Sequence, residues 1–103
     1  MSHQERRRAR GRAAERGPRT WLVERVQTGV RMEKRILKVL KALAELHDMS
    51  LGDLLEGIVL HAFEGRAPFD EASRRKIADL KRIYGLDLDA AASHRLKEAG
   101  DER

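Results

Sequence analysis

The chain has 103 residues, no cysteine, one tryptophan, one tyrosine, two phenylalanines and a formal net charge of +5. That length holds one small domain, the missing thiols exclude disulfides and thiolate metal sites, and no apolar run approaches the roughly 18 residues of a membrane span. So few aromatics make a thin core, which small domains commonly offset by oligomerising, so we expect a homodimer, and the lack of cysteine and of a long apolar run makes a cytoplasmic location the expectation.

The charge is unevenly placed. Residues 1–20 carry seven arginines against two glutamates, whereas the rest of the chain balances its basic and acidic side chains. This N-terminal stretch has no apolar residue larger than alanine after Met1 and is interrupted by Gly11, Gly17 and Pro18, so it builds no packed face. It reads as a disordered basic arm, and Arg6, Arg7, Arg8, Arg10 and Arg12 are candidate phosphate contacts, because guanidinium pairs with phosphate through two parallel hydrogen bonds. The plainer reading of such an arm is a solubilising tail.

Trp21, Leu22 and Val23 form the first apolar cluster. Residues 26–32 then alternate, with Val26, Thr28, Val30 and Met32 on one side and Arg25, Gln27, Gly29 and Arg31 on the other, which predicts a short β-strand. No second strand follows, so this one would need a copy from another chain to satisfy its edges. Arg25, Gln27 and Arg31 are groups able to reach donors and acceptors on base edges or nearby phosphate.

A helix is predicted over 33–47, where Ile36, Leu37, Val39, Leu40, Leu43, Ala44 and Leu46 make a broad apolar stripe. Its outer face carries Lys34, Arg35, Lys38 and Lys41, of which Lys34 and Arg35, beside the strand, are the stronger phosphate candidates. Neither Met32 nor Glu33 is a favoured cap, so the start of this helix is weakly marked. A turn at 47–49 leads to Ser50, a favoured cap, with Asp53 three residues on. The second helix has Leu54, Leu55, Ile58, Val59, Ala62 and Phe63 as its stripe and stops at Gly65. After Pro68, Asp70 caps a third helix with Ala72, Ile77, Leu80, Ile83 and Tyr84 as its stripe and Gly85 as its stop. A fourth, weaker helix is predicted over 90–99. The resulting domain plan is a disordered basic arm at 1–20, a domain of one strand and two helices at 21–65 and a helical extension at 66–103.

Two helices joined by a short turn also describe a helix-turn-helix. There the second helix enters the major groove, yet here its outer positions include Asp53, Glu56 and Glu64, which phosphate would repel. The strand and the start of the first helix are the cationic alternative.

The order of strand, helix, serine-capped turn and second helix over residues 26–63 resembles the ribbon-helix-helix (MetJ/Arc) superfamily of DNA-binding proteins. The resemblance implies a mainly α fold with one short β-strand, a dimer joined by an intermolecular antiparallel two-stranded ribbon lying in the major groove, and here two further C-terminal helices. It also places base contacts at Gln27, Gly29 and Arg31, and phosphate contacts at Ser50, Leu51 and Gly52, where the helix N-terminus supplies N–H groups. Gly29 departs from the family, which presents a polar side chain there.

The expected function is therefore double-stranded DNA binding by a homodimeric transcriptional regulator, nucleoid-associated when bound. Two other classes fit the same pattern: the antitoxin of a toxin-antitoxin pair, with a protein partner at 70–99, and a dimeric adaptor without DNA binding. Enzymatic chemistry has no support. His3, His47, His61 and His94 lack ligand spacing, local helical geometry places no pair of them on one face with a carboxylate, and neither a nucleophile-base pattern nor a phosphate loop occurs. No metal and no cofactor are expected.

Overall fold

The computed structural model describes residues 19–100, which fall into two compact units, one up to Val30 and one from Arg31 onward. The first unit, over residues 19–30, has no regular secondary structure. Its local feature is the Arg19 guanidinium, 4.8 Å from the centre of the Trp21 ring.

The second unit is three helices: α1 (Lys34–Leu46), α2 (Leu51–Phe63) and α3 (Glu71–Tyr84), followed by a single 3₁₀ turn at Ala90–Ala92. Each helix starts on an oxygen that accepts otherwise unpaired N–H groups: Glu33 for α1, Ser50 for α2 and Asp70 for α3. Each ends in one way. Asp48, Gly65 and Gly85 take left-handed backbone conformations, and the next N–H reaches back five residues, from Met49 to Ala44, from Arg66 to His61 and from Leu86 to Lys81. Asp48 does this without being glycine, as a short polar side chain can.

The helix α1 packs against both α2 and α3. Leu43, Ala44 and Leu54 make the buried centre, ringed by Leu40, Met49, Ile58, Phe69, Ile77 and Leu80, and Leu43 at 1 % exposure is the one large side chain fully removed from water among the described residues. Val39 is buried on the same helix. Beyond this centre the predicted stripes run out: Leu46, Val59, Ala62, Phe63, Ala72, Ile83 and Tyr84 lie on the surface. No helix among the described residues is long and apolar enough to cross a membrane.

Two predicted elements are corrected. Residues 26–32 form no β-strand, and there is no strand anywhere among the described residues, so the ribbon-helix-helix architecture with its β-ribbon is not what this chain builds. The physical reason is that alternation sorts side chains to two sides but supplies no partner for the backbone, and no other segment among the described residues pairs with it. Val26 and Val30, expected on a core side, are 84 % and 75 % exposed. The second correction is the helix predicted over 90–99, which shrinks to the turn Ala90–Ala92. His94, at φ 64°, is left-handed and cannot continue a helix. Irregular chain on either side lets Leu86, Leu88 and Leu96 line the groove between α1 and α3 instead.

Candidate nucleic-acid interface

The start of α1 is built around Glu33. Its carboxylate accepts the N–H groups of Arg35 at 2.8 Å and Ile36 at 3.0 Å, a cap that residue preferences do not favour but that its extra methylene reaches. The Ile36 N–H, and after it the Arg35 guanidinium, hold this carboxyl below the usual glutamate range. Arg35 is consumed by the same arrangement. Its Nε donates to Glu33 at 2.9 Å, and its Nη1 donates to the Gly85 carbonyl and to the Asp87 carboxylate, each at 3.0 Å. The side chain is half-buried, and it ties the start of α1 to the end of α3. Its guanidinium is raised above its ordinary value, chiefly by the Glu33 hydrogen bond. Arg35, a candidate phosphate contact, therefore has a structural employer.

Lys34, Lys38 and Lys41 stand apart from this bracket. Positions separated by four and then three residues lie on one helical face, about 10.5 Å from end to end at 1.5 Å per residue. All three are exposed, on the side of α1 opposite Val39 and Leu43. Lys38 also places its Nζ 5.9 Å from the Tyr84 ring centre. Residue spacing put four cations on the outer face of this helix, and packing divides them into a row of three lysines and one structural arginine.

Arg31 is 81 % exposed in its side chain, and its fork meets the carboxylate of Glu98: Nε donates to Oε1 at 3.2 Å and Nη2 to Oε2. This pairing across 67 residues had no signal in the sequence. Arg25, Gln27 and Gly29 lie in the first unit and are exposed. A Cβ added at Gly29 would meet nothing within 4 Å, so no steric demand among the described residues requires glycine there. Arg6, Arg7, Arg8, Arg10 and Arg12 lie outside the described residues.

At the start of α2, the Ser50 Oγ accepts the Asp53 N–H at 3.1 Å. Leu51 is half-buried and Gly52 exposed, beside the exposed carboxylates of Asp53 and Glu56. An incoming phosphate meets negative charge at this end, whereas the α1 row offers only positive charge along its length until Glu45.

Tertiary packing also collects side chains that linear reasoning kept apart. His47, Asp53 and His61 line one cavity of 260 Å³ with Met49, Ile58 and Phe69. The His61 Nδ1–H donates to the Gly57 carbonyl at 2.7 Å. Among the described residues no group of three or more histidine or carboxylate side chains has a geometry that could hold a metal ion.

Compared with known proteins, the chain matches no family model, no curated protein sequence and no solved structure.

Proposed function

We propose that this protein binds double-stranded DNA through phosphate contacts made by the Lys34, Lys38 and Lys41 row of α1 together with the arginine-rich N-terminal arm. The observation that carries the reading is the row itself: three exposed lysines in line on one helix, in a chain whose whole excess of positive charge lies just upstream. Duplex DNA carries one charge per ~1.7 Å of axis, so a cationic row about 10 Å long neutralises several phosphates and releases their counterions. Sequence preference would come from Arg31, whose guanidinium suits a guanine edge, a bidentate contact being worth about 1–3 kcal/mol of discrimination.

The binding form is a homodimer. Leu60 and Phe63, at 64 % and 81 % exposure, join Val59 on the solvent side of α2, a patch that a second copy covers with the same residues. The thin monomer core gives this burial its weight, since few other apolar side chains are out of water.

Fluorescence-anisotropy titration of labelled duplex DNA over a range of salt concentrations tests the reading. Binding is expected to weaken steeply with salt, and absence of measurable binding at 50 mM salt refutes it.

A further inference from the structure

Residues 86–98 leave α3 through Gly85 and run back as a strap across the groove between α1 and α3, and two of the strap's carboxylates seek out cations near the start of α1. Asp87 joins Arg35 in the structural bracket already described. Glu98 does something different. It pairs with Arg31, whose side chain is 81 % exposed, and presents two oxygens to its two forward donors. A phosphate would use the same fork with the same two-oxygen geometry.

The near and far halves of the strap are seated differently. Leu86 and Leu88 are half-buried, so the near half is anchored. The far half turns at the left-handed His94 and spans a cavity of 410 Å³ bounded by Ile36, Leu40 and Ile77 below and by His94 and Leu96 above. Leu96 keeps half of its surface in water, and the Arg31–Glu98 pair is itself open to solvent. Lifting residues 93–98 therefore breaks one exposed ion pair, uncovers the covered half of Leu96 and strains at most the local N–H bonds from Ser93 to Ala90 and from Arg95 to Ala92.

We propose that this strap is autoinhibitory: Glu98 occupies Arg31 in place of a DNA phosphate or base edge, and DNA binds fully only when residues 93–98 swing away. The proposal rests on the DNA-binding reading above and adds its regulation. Because the competitor is a single exposed pair, the restraint is small and is itself sensitive to salt.

The test compares the full-length chain with Glu98→Gln and with Glu71→Gln, which removes the same charge from the first turn of α3, by anisotropy on one duplex at 50 mM salt. Glu98→Gln is expected to bind about two- to five-fold more tightly than wild type, the worth of one exposed ion pair, whereas Glu71→Gln changes affinity less than two-fold. The gain should vanish when Glu98→Gln is placed in an Arg31→Gln background, and should fade by about 0.5 M salt as the pair is screened. If wild type binds but Glu98→Gln is no tighter than Glu71→Gln, or if the gain survives without Arg31, the strap is not inhibitory although the DNA-binding reading stands. If no variant binds, both fall.

Discussion

Replacing Lys34, Lys38 and Lys41 together by glutamine removes the proposed phosphate row while leaving the buried side of α1 untouched, because Val39, Leu43 and Ala44 face the other way. The row is about 10.5 Å long, and one DNA strand advances ~3.4 Å per phosphate, so three contacts fit along it. Lys38 also sits beside the Tyr84 ring, so the lower bound is two. At a slope of ~0.9 per contact, the triple variant should lose between about 1.8 and 2.7 from the slope of log K against log salt. Extrapolated to 0.1 M salt, counterion release of that size corresponds to affinity falling by about 60- to 500-fold. Anisotropy titrations at four or five salt concentrations read both quantities, and circular dichroism at 222 nm checks that the helices remain. A slope change below about 0.9, less than one contact, would refute the assignment of α1 as the phosphate-binding element.

Leu43→Ala should cost about 2–5 kcal/mol in urea unfolding followed by circular dichroism, because Leu43 is the centre of a core with few other buried side chains; a loss under 1 kcal/mol would mean that the centre lies elsewhere. Ser50→Ala should cost about 1 kcal/mol through loss of the Asp53 N–H bond, while Ser50→Asp should restore most of it, measured the same way. The carboxyls of Glu33 and Asp70 both lie below their usual values in the folded chain, Glu33 mainly through the Ile36 N–H and Asp70 mainly through the Ser73 N–H. Their contribution is thus fully present above the ordinary carboxylate range of about 4 and is lost as pH falls through the depressed folded values. Glu33→Gln should flatten that acid limb, and an unchanged dependence between pH 5 and 2 would contradict it. Leu60→Ser with Phe63→Ser should shift sedimentation equilibrium toward monomer, whereas an unaltered dimer would place the interface on another surface.

What could be read directly from the residues was what local chemistry controls. The helix starts at Ser50 and Asp70 and the stops at Gly65 and Gly85 depend on caps and backbone freedom within a few positions, and they fall where residue type put them. Glu33 escaped because glutamate is not a favoured cap, although its longer side chain reaches the Arg35 and Ile36 N–H groups and also meets the Arg35 guanidinium that Gly85 and Asp87 hold from about fifty residues away. The alternation at residues 26–32 was visible too, but a strand is a relation between two segments, and one segment carries no information about whether its partner exists.

Sequence by itself determined the three amphipathic helices, the starts and stops marked by Ser50, Gly65, Asp70 and Gly85, and the concentration of positive charge at the N-terminus, since each follows from spacing and from ionisation that neighbours hardly alter. Tertiary structure alone decided which apolar residues reach the core, that Arg35 serves the fold while Lys34, Lys38 and Lys41 stay available, and that Glu98 meets Arg31. Those outcomes depend on contacts between residues far apart in the chain, where a small core leaves room for only part of each apolar stripe and a charged side chain takes whichever partner the packing brings near.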